Sequence, residues 1–302
     1  MSRELRGVIT ILAMPFDEQG RIDVDSLCKL VNFNIDAGVH GLGIALGSEI
    51  FKLSEGERDL ALREVVAQAA GQVPIVVNTG AAGTDLALHY SRRAQELGAD
   101  ALMIFPPSFM PASAAEVRAY YKAISAGVEI PIVIQDFPDG PVPPPLVRQI
   151  VAESERVQYV KVEVHPTTER LSQGLEATGG RVGMFGGAGG NYLIEELRRG
   201  AIGTMPASSQ PGAFVRLWDH FQAGSEDRAE KIFYGEILPL LRLALLGSGV
   251  FFQLTKELLH RRGVIRTAHV RAPFTPMDEA TAGEADRLMA QLLELEAESG
   301  LS

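Results

Sequence analysis

The chain has 302 residues, 46% of them hydrophobic, and a formal net charge of -10 with its six histidines neutral. That length suits one large α/β barrel or two medium domains, and the acidic balance excludes nucleic acid or an anionic membrane as the main partner, since both select a basic surface. A single cysteine, Cys28, excludes an intramolecular disulfide and a cysteine-based metal cluster.

In chain order, the opening "MSRELRGVIT" lacks the apolar core of a secretion signal, and no apolar run reaches the length of a membrane span. The expectation is a soluble, cytoplasmic protein. Cys28 lies in the amphipathic "DSLCKLVNFNIDAG" and is expected to be a buried core thiol. Short apolar runs alternate with segments of helical period: "GVITILAMP", "GLGIALG", "PIVVNTG", "ALMIFPP", "PIVIQDFP", "VQYVKVE", "VGMFGG" and "AIGTMPA" read as strands, and 25–37, 54–70, 84–97, 113–126, 144–155, 167–177, 191–199 and 210–223 as helices. Ser54 and Glu57 form a capping box, and Gly38, Gly98 and Gly200 stand between a helix and the next strand, where a left-handed cap is needed.

Eight such alternations predict an α/β fold, a (β/α)8 TIM barrel over 1–224, with an all-helical extension over 225–302 packed on the barrel or at an oligomer interface. A doubly wound open sheet is the alternative, and it lacks the expected G-x-G-x-x-G after the first strand.

The stretch "VQYVKVEVHP" places charge inside an apolar strand. Alternation puts Val157, Tyr159, Lys161, Glu163 and His165 on one face. An amine enclosed in a barrel that sheds its proton can attack a ketone to form a Schiff base; equally, Lys161 can be a structural partner of Glu163 or Asp136. Active sites of such barrels lie at the C-terminal ends of the strands. That end gathers Ser48, Glu49, Asn78, Thr79, Ser108, Gln135, Asp136, Lys161, Glu163, His165, the glycines 186–190 and Thr204. His165 reads either as a proton carrier at the barrel mouth or as a solvated loop residue. Asp136 is expected to face away from Gln135. "GGAGGN" fits a phosphate cradle or a loop of close approach. His40, His89, His220, His260 and His269 have no metal-ligand spacing, so no metal is expected. Lys256, Arg261 and Arg262 are expected on a solvated helix face.

Taken together and in order, "MPFDEQGRID", "GSEIFKLSEGER", "PIVVNTGAAGTDLA", "PIVIQDFP" and "YVKVE" resemble the dihydrodipicolinate synthase / N-acetylneuraminate lyase family of class I aldolases. The resemblance runs through the barrel into the helical tail. It implies that Lys161 forms a Schiff base with a 2-oxo acid without a cofactor, and that the chain is a homo-oligomer, a tetramer or dimer. It further implies that Gly47, Ser48 and Glu49 cradle a carboxylate and that the loop containing Gly187 contacts the substrate, with Ser108 and Thr204 at its border. Three departures stand out. The family's strand-five tyrosine aligns with Gln135, the tyrosine after the strand-four prolines with Ser108, and the threonine-rich cradle reads Ala45 to Glu49. An amide cannot titrate, so the expected activity is retro-aldol cleavage or dehydration of a hydroxylated 2-oxo acid such as a deoxy sugar acid, rather than dihydrodipicolinate synthesis, with Gln135, Glu163 or His165 replacing the relay. A phosphate-binding barrel enzyme and a non-catalytic binding protein are the alternatives.

Overall fold

A computed structural model of the chain describes residues 4–110 and 112–298, so the first three residues of the N-terminal stretch lie outside it. Eight parallel strands close into a barrel in sequential order: β1 (Gly7–Ile11), β2 (Gly41–Ile44), β3 (Ile75–Asn78), β4 (Ala101–Ile104), β5 (Ile132–Asp136), β6 (Val157–Val162), β7 (Gly183–Gly186) and β8 (Gly203–Thr204). A helix follows each in turn: α1 (Val24–Asp36), α2 (Glu55–Ala69), α3 (Thr84–Glu96), α4 (Ala114–Ala126), α5 (Pro144–Glu153), α6 (Thr167–Thr178), α7 (Leu193–Arg198) and α8 (Pro211–Gln222). The expected punctuation is in place. Ser54 and Glu57 cap α2 reciprocally, and Gly38, Gly98 and Gly200 hold φ of 84°, 96° and 92°, conformations that cost residues with a Cβ more.

Because side chains alternate across a strand, the barrel separates two apolar layers. Ile9, Val76, Met103, Val133, Tyr159, Phe185 and Met205 fill the interior. Leu42, Val77, Leu102, Ile134, Val160 and Val162 face the helices. Val157 departs from the expected alternation and packs in the outer layer. The cause is a register shift between Ile132 and Val133: Val157 pairs with Ile132, whereas Tyr159 pairs with Val133, leaving Gln158 exposed. The in-out pattern that brings Lys161 inward is therefore set from Tyr159 onward.

After α8 come α9 (Glu226–Ile232), a single π turn (Phe233–Ile237), α10 (Leu238–Ala244), α11 (Ser248–Arg261) and α12 (Glu279–Glu298). The sequence pattern reads as one helix where the chain forms α9 and α10. Pro239 lacks the N–H that would continue the ladder, and the widened turn before it relieves its ring. Leu240, Leu254, Leu258, Met289 and Leu292 join α10, α11 and α12 in a separate small core. Cys28 is half-buried rather than sealed in the core; burial, helped by Glu64 and Asp25, pushes its thiol up, away from the reactive thiolate. Among the described residues, no helix is long and apolar enough to cross a membrane.

Phe185 is fully buried in the barrel interior with its ring 5.9 Å from that of Tyr159. Truncation there leaves a cavity that closed sheet geometry cannot collapse, so Phe185→Ala should lower stability by about 3–5 kcal/mol, measured by urea unfolding.

Candidate active site

The strand ends converge on one polar chain inside the barrel mouth. Lys161 is 5% exposed, and its Nζ stands 3.2 Å from Glu163 Oε1. The other carboxylate oxygen of Glu163 accepts a 2.8 Å hydrogen bond from Gln135 Nε2. Gln135 Oε1 in turn accepts from Asn78 Nδ2 at 2.8 Å, and Asn78 Oδ1 accepts from the Gly80 N–H. Three strands thus contribute in series: β3 supplies Asn78, β5 Gln135, and β6 with the residue just beyond it Lys161 and Glu163. Register explains the meeting, because Gln135 and Lys161 are direct partners across β5 and β6. The Glu163 N–H donates to Asp136 O at 2.8 Å, which holds its backbone against β5 past the end of the strand.

Gly187 makes room for this carboxylate. A Cβ there would lie 2.2 Å from Glu163 Cγ and 2.5 Å from Val162 O, so the strand ends can approach this closely only at glycine. Thr204 is fully buried below the same loop, its hydroxyl donating to Gly186 O at 3.4 Å. Asp136 points the other way and forms a two-pronged ion pair with Arg170 of α6 while accepting from Val142 N–H at 2.7 Å, which fixes the loop after β5.

The segment after β2 makes a tight corner. Ser48 is fully buried, and its hydroxyl accepts from the Ala45 N–H at 3.1 Å, which leaves its own proton free to donate. Gly47 packs on Ile11, with the Phe251 ring beside it. Glu49 adopts a left-handed conformation with φ 55° and turns its carboxylate onto Lys52 and Lys256. Lys256 therefore corrects the expected solvated face: it is 1% exposed, bonded to Glu49 and to His269 O at 2.8 Å. Burial draws its ammonium down to about 8, with Glu49 opposing the shift. Arg262, expected beside it in solvent, is paired with Glu296 at 2.8 Å, while Arg261 pairs with Glu257 and Asp286.

Two expected members stay outside this assembly. His165 is exposed beyond the strand, its ring edge-on to Tyr192 at 5.7 Å. Ser108 is exposed on the loop after β4, next to Phe109 and Met110, which are 85% and 70% exposed.

One buried acid carries no pattern that marks it in the sequence. Glu196, on α7, is fully buried; one carboxyl oxygen accepts from the Thr167 hydroxyl at 2.6 Å, and the other has no partner among the described residues and presses on Gly186. Desolvation raises it to about 7, with Glu195 and Glu163 adding to the rise and Thr167 and Arg199 opposing it. A carboxyl without a cation is kept neutral more cheaply than charged in such a place.

The sequence profile described as the Dihydrodipicolinate synthetase family matches residues 4–292. An L-2-keto-3-deoxyarabonate dehydratase from Azospirillum brasilense is 29% identical over 286 residues, covering 92% of this chain and 92% of the dehydratase. An N-acetylneuraminate lyase from Citrobacter koseri is 29% identical over 314 residues, covering 97% of this chain and 99% of the lyase. Among solved structures, a dihydrodipicolinate synthase from Rhodopseudomonas palustris superposes with a TM-score of 0.87 at 26% identity, covering 95% of this chain and 98% of that one.

The buried Glu196 supplies a pH test. The folded state holds its proton up to about pH 7, whereas an unfolded glutamate releases it near the ordinary carboxylate range. Its contribution is complete below that range and is lost as pH rises through about 7. Glu196→Gln should therefore flatten the fall in stability between pH 5 and 8 and be the more stable protein at pH 8, by on the order of 1–3 kcal/mol. Thermal melts across that pH range check it; equal slopes would show that Glu196 is ionised throughout.

Proposed function

The chain belongs to the dihydrodipicolinate synthetase family, and on that premise we propose that it is a Schiff-base lyase acting on a hydroxylated 2-oxo acid, with dehydration of a deoxy sugar acid as its reaction. The lyase class follows from the family. The choice of reaction is supported by the likeness to an L-2-keto-3-deoxyarabonate dehydratase, and the Glu163 carboxylate, held by Gln135 and lying 3.2 Å from the Lys161 amine, is the group we assign to move the proton.

In this reading Lys161 passes its proton to Glu163 and attacks C2 of the 2-oxo acid; Glu163 then gives that proton to the departing hydroxyl, so that loss of water forms the iminium and leaves Glu163 a carboxylate. The iminium draws electrons from C3, so a C3 proton becomes acidic and Glu163 takes it, leaving an enamine. The enamine expels the C4 hydroxyl as Glu163 returns the proton to it, and water leaves. Hydrolysis of the imine then frees Lys161. Gln135 and Asn78 cannot titrate; they hold the carboxylate and offer hydrogen bonds to a substrate hydroxyl. Ser48, in the Gly47–Glu49 corner, takes the substrate carboxylate through its hydroxyl proton. The loop at Gly187, with Thr204 beneath it, and the crevice between it and α11, lined by Gly189, Ser209, Phe251 and Thr255, receive the rest of the molecule. Residues 1–224 carry the chemistry and the helices of 225–302 roof it. The exposed Phe109 and Met110 beside Ser108 support a homo-oligomer in which a second copy covers that rim. The setting proposed is the cytoplasm.

Borohydride reduction in the presence of pyruvate or a panel of deoxy 2-oxo sugar acids, followed by intact-mass analysis, tests this. Wild type should gain the mass of one reduced ligand and Lys161→Ala none. Glu163→Gln should still be trapped but turn over roughly 10²–10⁴-fold more slowly, as expected for loss of a general acid-base group. Tight binding of 2-oxo acids with no adduct would mean that Lys161 is electrostatic and that the protein is not a Schiff-base lyase.

A further inference from the structure

The corner beside Ser48 is surrounded by an uneven set of charges. Glu49, fully buried, bonds with one oxygen to Lys52 at 2.8 Å and with the other to Lys256. Lys52 also donates to Arg271 O, and Arg271 bonds Glu57, Lys52 O and Gly20 O. Lys256 and Arg271 stand 4.3 and 4.2 Å from the ring centre of Phe16. Three cations thus face two carboxylates, in a chain whose net charge is -10. Two carboxylates would need only two cations. The third leaves a surplus of positive charge in a dry setting, beside a serine whose hydroxyl proton is free.

We propose that Lys256 is a positioning residue for an anionic substrate: acting through Glu49 from α11, it fixes the Gly47–Glu49 corner and supplies the surplus charge that favours a carboxylate there. The inference rests on the reading above that this corner takes the carboxylate of a 2-oxo acid. Phe251, also on α11, packs against Gly47, so the same helix sets the corner from two sides. The carboxylate subsite is thereby completed by the C-terminal helices rather than by the barrel alone.

The test compares pyruvate with its uncharged amide, pyruvamide, as ligands for borohydride trapping of the full-length protein at pH 7. Lys256→Met should raise the half-saturating pyruvate concentration about tenfold, as removal of a charge facing an anion does, and shift that of pyruvamide far less. Lys256→Arg should restore most of the pyruvate affinity. Lys52→Met, which removes the other ammonium from Glu49, should act in the same sense and serves if Lys256→Met does not fold. Equal shifts for the two ligands, or no shift for either, would show a merely structural staple and overturn the proposal. If wild type binds pyruvate but traps neither ligand, the Schiff-base reading fails by itself. Calorimetric titration of the same variants with the same two ligands then decides the carboxylate question: selective loss of pyruvate binding supports the proposal, and its absence refutes it.

Discussion

An ammonium enclosed on a barrel strand is tolerable only with a counter-charge, and that requirement organises the mouth of this barrel. Moving one ion out of water costs several kcal/mol even after the surroundings relax, and a partner repays this only when its remaining lone pairs are also satisfied. Glu163 meets both conditions: one oxygen faces Lys161 and the other is bonded by Gln135, which is itself held by Asn78. Each link fixes the next. Removing the side-chain volume at position 187 is part of the same solution, because the Glu163 stem occupies the space a Cβ would take.

Besides the Asp136–Arg170 pair, the buried carboxyls Glu49 and Glu196 are each treated differently. Glu49 is given two ammoniums, so the corner it anchors joins the barrel to the helices that follow it. Glu196 is given a hydroxyl and no cation, and burial then favours the protonated acid. Paired, over-compensated and neutralised carboxyls lie along adjoining elements. Glu163 and Glu196 flank neighbouring residues of the same strand end, Gly187 and Gly186, so the charge on one is felt by the other. Keeping Glu196 neutral spares Glu163 a second negative neighbour.

Much of the fold was legible because it depends on local signals. The alternation of short apolar runs with helical segments, the Ser54–Glu57 box and the glycines at 38, 98 and 200 each report on residues close in sequence. Lys161 was legible for the same reason: a lysine in a Val- and Tyr-rich strand breaks a pattern. Lys256 broke none. On an amphipathic helix a lysine reads as solvent-facing, and only the tertiary approach of the corner after β2 reveals that its partner is 207 residues away in the chain. Glu196 was hidden likewise, one of two adjacent acids in a short helix of which the fold buries one. Val157 was misplaced because β6 carries one more residue than β5 across this pairing, Gln158, and no local pattern marks where such an extra residue falls. His165 looked suitable by spacing, but the chain leaves the strand after Val162, and the in-out rule stops applying where the strand does.

An amide at position 135 limits the proton inventory of the proposed reaction. A tyrosine can carry a proton between substrate and solvent; Gln135 can orient a group but neither give up nor accept a full proton. With His165 outside the assembly, the ionisable side chains of the polar chain are Lys161 and Glu163, and the proposed step from ammonium to imine uses the proton they share. Elimination of water suits such a closed pair, since the proton taken from C3 is the one the departing hydroxide needs. Cleavage of the C3–C4 bond runs the same transfer in reverse, the C4 hydroxyl losing a proton and C3 receiving one, so a carboxylate standing between C3 and the C4 oxygen is competent for either reaction. What Gln135 and Asn78 fix is where that carboxylate stands. The choice between the two reactions then rests on which bond of C4, to oxygen or to C3, a bound substrate aligns with the π system beside the imine nitrogen.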